Sequence, residues 1–295
     1  MEPFDAPSFS DGKHARGEWD TSALAYRKGP LRAAAGYISA KRRGVTRLAD
    51  AAGTPRLVLD AGAGSGAYAI WFLARTPCTV VSVDIARAGL KKIVPALQKS
   101  GVAGRAFPVC ADIEALPFKN AAFDAAFSVD ALGHVGNAAA ALDELARTCR
   151  PGAPLFVHSE CADYQSRWPD RALIARLGED VPAARDGHIG LRASRELREL
   201  YGRRFRVVSF TSPAGLLGWL LGYPEKYREA FERAGWVCLS RVATAFAVVK
   251  KLPVLGPLLR FVNATTNHAE ILLGLSGGGS SFAFLKRTDS TGRLP

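Results

Sequence analysis

From Arg56 onward the chain alternates short apolar runs with helical stretches. Leu57-Val58-Leu59 reads as a buried strand, followed by a glycine-rich turn and a helix over about Ala67–Arg75. Thr79–Val83 predicts a second, β-branched strand, and a helical stretch then runs to Ser100 with Gly101 just past its end. Arg105–Cys110 is a third strand, Phe123–Val129 a fourth, and a helix from about Asn137 to Cys149 precedes a fifth at Pro154–His158. Ser194–Tyr201 (helix) and Phe205–Phe210 (strand) extend the pattern, and Ser281–Leu285 is a last strand before a polar tail. Near-continuous apolar strands separated by helices predict an α/β fold with a parallel sheet covered on both faces.

Two regions fall outside the alternation. The first twenty residues are polar and Gly/Pro/Asp-rich, which predicts a loose arm. Ser22 to Leu48 reads as helical, with Gly29-Pro30 as a break and Gly44 as a stop. The stretch from Thr211 to Ser280, about seventy residues, is too long for an ordinary connection. It holds Leu216–Leu221, a charged helix near Glu225–Ala234 and an apolar run at Leu252–Leu259. The expected organisation is an arm and basic helical segment over 1–55, a core over 56–210, an apolar helical insertion over 211–280, and the last strand and tail over 281–295.

Composition adds limits. The 295 residues are 48% hydrophobic and 22% charged, which excludes a disordered chain. The net charge of +12 fits attraction to an anionic partner, or simply an Arg-rich composition. The densest basic feature is Arg27, Lys28, Arg32, Lys41, Arg42, Arg43 and Arg47, with no acid among them. The five cysteines, Cys78, Cys110, Cys149, Cys161 and Cys238, form no C-x-x-C pair. This argues against a disulfide scaffold or a metal site and for a reducing, cytoplasmic setting. Asp5, Asp11, Glu18 and Asp20 interrupt the first twenty residues, so they do not read as a signal peptide. Ala214–Tyr223 and Val242–Val249 are too short to span a bilayer.

The sharpest chemical signal is Val58-Leu59-Asp60-Ala61-Gly62-Ala63-Gly64-Ser65-Gly66. Glycines here permit a tight strand-to-helix turn and close approach of a ligand to the backbone. Gly62-x-Gly64-x-x-Ala67 with Asp84 about twenty residues on also satisfies a dinucleotide fingerprint. Asp60 tilts the choice, because a carboxylate just before the glycines would repel a pyrophosphate. A phosphate-free ligand with a cationic end is favoured instead, and S-adenosylmethionine is one. Asp84 could then accept from both ribose hydroxyls, since a carboxylate only accepts and has two oxygens.

Over about Arg56–Ser159 the chain resembles the class I S-adenosylmethionine-dependent methyltransferases, in the branch with small-molecule and lipid-like substrates. The resemblance implies a cofactor site at Asp60, Gly62, Gly64, Gly66 and Asp84, with Ile85 packing on the adenine. Ala111-Asp112-Ile113 and Leu116-Pro117-Phe118 look like the segment meeting the adenine amino group, through Asp112 and Ile113. Phe123–Val135, which includes Ser128, looks like the fourth strand and its exit loop, and Arg150-Pro151-Gly152 like the turn before the fifth. The implied fold is a doubly wound, seven-stranded Rossmann-like sheet of order 3-2-1-4-5-7-6, with the last strand antiparallel. Ala153, where a second glycine is usual, and the long insertion depart from the family pattern.

Methyl transfer from a sulfonium needs alignment and exclusion of water, and a base only where the acceptor is protonated. Candidates for base or substrate contact come from the ends of strands four and five. They are His134, His158 and Glu160, with Asp130 beside them and Tyr164 and Trp168 as walls. His188 and His268 read as surface residues or caps. Asp130-Ala131-Leu132-Gly133 lacks the Asp/Asn-Pro-Pro-Tyr signature of amino-directed base methylation, and no cysteine has a Pro-Cys context, so nucleic acid is disfavoured as a partner. The expected function is methyl transfer to a small, hydrophobic or lipid-like acceptor at O, N or C. The basic segment and the insertion suggest peripheral contact with an anionic membrane, against the plainer roles of core cap or substrate lid. The competing readings are an NAD-binding oxidoreductase and a non-catalytic S-adenosylmethionine-binding protein.

Overall fold

The computed structural model describes residues 5–18, 36–213, 224–259, 261–262, 265 and 279–288. Its centre is a sheet of seven strands: β1 (Leu57–Ala61), β2 (Thr79–Asp84), β3 (Ala106–Cys110), β4 (Ala125–Val129), β5 (Pro154–Glu160), β6 (Phe205–Thr211) and β7 (Ser280–Arg287). The order is β3-β2-β1-β4-β5-β7-β6, with β7 antiparallel to both neighbours. The direction of winding reverses between β1 and β4, which opens a crevice beyond their carboxyl ends.

The helices in chain order are α1 (Ala6–Ala15), α2 (Gly36–Ala52), α3 (Ala67–Leu73), α4 (Arg87–Leu90), α5 (Ile93–Lys99), α6 (Ala138–Thr148), α7 (Asp170–Leu177), α8 (Val181–Asp186), α9 (Ser194–Gly202), α10 (Pro224–Arg233) and α11 (Val237–Val249). One face of the sheet is covered by α2, α3 and α5, through Val45, Leu48, Ile70, Phe72 and Ile93 against Val58, Phe127 and Phe156. The other is covered by α6 and α9, through Leu142, Leu145, Leu197 and Tyr201.

Several sequence expectations need correction. Residues 5–18 are not a loose arm: α1 is capped by Asp5, whose carboxylate accepts from Ser8 N at 3.2 Å. It docks on α4, where Asp11 accepts from Ala88 N at 2.8 Å and Lys92 donates to His14 O at 2.6 Å. Its polar sequence hid this, because it is held by hydrogen bonds rather than by an apolar stripe. Gly44 does not stop α2, which runs on to Ala52; a Cβ there would lie 2.1 Å from the Phe156 ring. The glycine lets the helix pass close over the sheet. The stretch to Ser100 is two helices, because Pro95 has no N–H to continue the ladder toward Lys91.

In the insertion, α10 and α11 form a hairpin turned at Gly235 (φ 75°). They enclose a separate cluster with Leu173 and Val181, and Tyr227 donates to Asp170 at 2.9 Å. The α7–α8 pair had no counterpart in the sequence reading, while α11 falls within the expected apolar helical insertion and contains its Val242–Val249 run. Leu216–Leu221 and His268 lie outside the described residues. Among the described residues, no helix is long and apolar enough to cross a membrane.

Candidate functional site

The crevice has two halves, each built from strand ends. In the first, β1 delivers Asp60 and then the glycine turn. Gly62, Gly64 and Gly66 all have positive φ, at 79°, 52° and 81°. A Cβ at Gly62 would lie 2.2 Å from that of Ala131, so this position admits only glycine without displacing the β4 exit. Gly62 and Ala63 both donate to Val83 O at 2.8 Å, which ties the turn to the end of β2. Asp84 accepts from Gly64 N at 2.7 Å and from Ala86 N at 2.8 Å.

Asp60 is buried, and Ser82 donates to it at 3.4 Å. Burial, then the nearby Asp84 charge, hold its carboxyl well above the usual range. Burial also raises Asp84, against the two backbone donors and the charges of His14 and His134. A buried and a half-buried acid at the mouth of a glycine turn form a donor set for a cation. They suit a ligand with an ammonium and a ribose diol, and they would oppose a pyrophosphate. Ile85 follows Asp84, and Ala111 N bonds Asp84 O at 3.1 Å, so the β3 exit lies alongside. There Asp112 is exposed and receives Glu114 N at 2.9 Å, while Ile113 is in the core. Ser128 is buried within β4, two residues before Asp130.

The second half is a charge cluster at the ends of β4 and β5. Asp130 has φ 61°, a left-handed conformation that costs a non-glycine residue energy and recurs at functional sites. Its Oδ2 lies 2.5 Å from Lys41 Nζ on α2, and its Oδ1 lies 2.7 Å from His158 Nδ1 on β5. One carboxyl oxygen of Glu160 completes a group with Asp130 and His158 whose ligand atoms all lie within 4.8 Å. That group could in principle hold a metal ion, but the Lys41 ammonium already supplies a cation at Asp130. Burial raises Asp130, yet Lys41, His158 and contact with Glu160 outweigh it, and the carboxyl lies well below its usual range. Glu160 goes the other way, pushed up by burial and by the Asp130 charge.

His134 joins the halves. It sits on the 3₁₀ turn Leu132–His134, its Nδ1 lies 3.1 Å from Gly187 O, and it acts electrostatically on both Asp84 and Glu160. His188 is not a remote surface residue: its ring lies 4.6 Å from that of His134. Tyr164 is engaged by Asp180 at 2.6 Å, and Trp168 is 60% exposed.

Three participants escaped the sequence reading. Lys41 occupies the buried stripe of α2, four residues before Val45, and a lysine in an apolar stripe was the available signal. His14 lies over the glycine turn, 3.2 Å from where a Gly64 Cβ would be. Tyr68, on α3, feels the charges of Lys41, Asp130 and Glu160. Neither of the last two had a local signal.

A family model described as a methyltransferase domain matches residues 59–157. Over 210 residues the chain is 29% identical to the O-methyltransferase resE of Aspergillus sclerotiorum, covering 70% of this chain and 75% of that protein. Among solved structures, the cyclase SpnF aligns with a TM-score of 0.54 at 17% identity, over 86% of this chain and 83% of its own. Geranyl diphosphate C-methyltransferase from Streptomyces coelicolor A3(2) aligns with a TM-score of 0.55 at 12% identity, over 85% of this chain and 79% of its own. At those identities the structural likeness speaks for the fold.

Proposed function

We propose that this chain is a class I S-adenosylmethionine-dependent methyltransferase that methylates a hydroxyl oxygen of a small apolar acceptor, a reading supported by the methyltransferase-domain match over residues 59–157 and by the likeness to an O-methyltransferase. The observation that carries this reading is the division of one crevice into an acid-lined cradle (Asp60, Asp84) and a proton-handling cluster (Asp130, His158, Glu160), spanned by His134. When bound, S-adenosylmethionine supplies a sulfonium methyl: the acceptor oxygen forms the new C–O bond while the C–S bond breaks with its electron pair to sulfur.

In this reading Asp60 faces the ammonium end of the cofactor and Asp84 holds the ribose, with Gly62, Gly64 and Gly66 admitting it to the backbone. Ile85, Asp112 and Ile113 line the adenine side, and Ser128 lies beneath the β4 exit. His14, on α1, covers the cradle and excludes water. The relative resE, named an O-methyltransferase, favours oxygen over nitrogen or carbon. The test is incubation with methyl-labelled cofactor and a panel of alkyl-substituted phenols and long-chain alcohols. Label in ether products supports the reading; label confined to amine or carbon products overturns it.

The acceptor is assigned as lipid-like because of the insertion surface. Fourteen large apolar residues are exposed in the described chain, and nine of them lie between Val237 and Val262. From Gly235 to Ala269 the sequence holds Arg241, Lys250, Lys251 and Arg260 and no acid. A basic, apolar surface fits an anionic lipid face. The basic residues of α2 are less available: Lys41 is paired inside, Arg42 stacks over Trp71 at 4.5 Å and Arg47 over Phe284 at 4.1 Å. Flotation with phosphatidylserine vesicles should therefore be lost in Val254→Glu/Leu258→Glu, with turnover on soluble phenols kept. Equal flotation of both proteins, or of neither, overturns the membrane assignment.

A further inference from the structure

We propose that Glu160 is the proton acceptor of this site, held and tuned by a fixed Lys41–Asp130–His158 array. The inference rests on the O-methylation reading above and deepens it.

Charge counting comes first. With both carboxyls ionised, the Lys41 ammonium leaves Lys41, Asp130 and Glu160 together one negative charge in excess. A single bound proton makes them neutral, so the cluster is a seat for one exchangeable proton. Geometry then says where that proton goes. Asp130 is held on both oxygens, by Lys41 at 2.5 Å and His158 at 2.7 Å. A carboxylate so committed is a weak base. His158 is fully buried in the strand and meets Asp130 from below. Glu160 is the remaining carboxyl, at the last position of β5, partly exposed and bordering Gly133 and the His134 turn.

Electrostatics agree with the geometry. Burial and the Asp130 charge make Glu160 a stronger base than an exposed glutamate, while Lys41 and His158 keep Asp130 ionised. A base raised toward the working pH is the more effective one. The array therefore separates the two carboxyls into a fixed anion and a titrating group. In the reaction the acceptor's O–H proton passes to a Glu160 carboxylate oxygen as the methyl transfers, and leaves to solvent after product departs. Lys41, Asp130 and His158 are positioning residues. The charged or titratable groups facing Glu160 are Asp130, His158, Lys41 and His134, with Tyr68 and His188 on the packed neighbours.

The experiment compares the full chain with Glu160→Gln and Glu160→Asp. Calorimetry with adenosylhomocysteine establishes that each variant folds and keeps the cradle. In Glu160→Gln, turnover on weakly acidic alkyl phenols should fall on the order of 100-fold or more, recover on strongly acidic nitrophenols that ionise unaided, and recover in part in Glu160→Asp. Independently of turnover, the infrared titration of the wild type should contain, beside the protonated-carboxyl bands of Asp60 and Asp170, one further band that is lost in Glu160→Gln and displaced in Lys41→Met. Unchanged turnover across the phenols, or survival of that band in Glu160→Gln, overturns the proposal. Wild-type protein that binds adenosylhomocysteine but methylates no hydroxyl overturns the O-methylation reading instead, and the infrared band still decides where the proton resides.

Discussion

Lys41 Nζ on α2 lies 2.5 Å from Asp130 Oδ2 at the end of β4, joining residues 89 positions apart. The lysine side chain retains only 9% of its surface. Removing it leaves a carboxylate in left-handed backbone with one partner fewer. Lys41→Met should cost about 1–3 kcal/mol of unfolding free energy, read from urea titration, and lower turnover more than cofactor affinity. Unaltered stability and unaltered turnover would mean that the ion pair is incidental.

Asp60 offers a separation of stability from binding. Its buried carboxyl is held well above its usual range by burial and then by Asp84. The folded state therefore keeps a proton that the unfolded chain loses, and the stability tied to that proton declines as pH rises above the unfolded value near 3.9. Asp60→Asn removes this dependence and should be as stable as wild type, or more so, at neutral pH. It also removes the carboxyl proposed to face the cofactor's ammonium, whose positive charge would favour the ionised form of Asp60 on binding. Affinity for S-adenosylmethionine should drop at least tenfold, about 1.4 kcal/mol by calorimetry; retained affinity would show that the ammonium is held elsewhere.

Asp170 ties the insertion to the core. Burial, opposed by the Tyr227 hydrogen bond, pushes its carboxyl up to about 7. The unfolded chain gives up this proton near pH 4. Stability should thus fall as pH rises from there through about 7, then level off. Asp170→Asn should flatten that part of the thermal-melting profile. An unchanged slope would assign the dependence to another group.

Gly44 should tolerate no side chain. A Cβ would come within 2.1 Å of the Phe156 ring, which is itself fully buried. Alanine improves helix propensity by about 1 kcal/mol, but overpacking a rigid core costs typically 1–3 kcal/mol. Gly44→Ala should be net destabilising. It should also displace Lys41, three residues earlier on the same face, and so reduce turnover. Stabilisation by alanine would mean that α2 can shift outward freely.

The strands and the acid-glycine-acid run were legible because each is written locally, while the strand order was implied only by the family resemblance. A buried parallel strand needs a continuous apolar run, a tight strand-to-helix turn needs glycine, and a ribose-binding acid sits at a strand end. The acids on β4 and β5 could likewise be singled out by position, since ligands gather at the carboxyl ends of such sheets. The sequence by itself therefore determined the fold class and half of the candidate site.

Only the tertiary structure decided what those acids do. Asp130 and Glu160 are alike as letters, and they part company because Lys41 arrives from a helix that precedes the whole sheet. That helix reaches them because Gly44, which in isolation looks like a terminator, allows it to lie against Phe156. The docking of α1 over the glycine turn was hidden for a similar reason, since hydrogen bonds from Asp11 and Lys92 leave no periodic trace. Local pattern reports what a segment buries; the partner that sets a group's charge comes from a long loop closure, which no local pattern records.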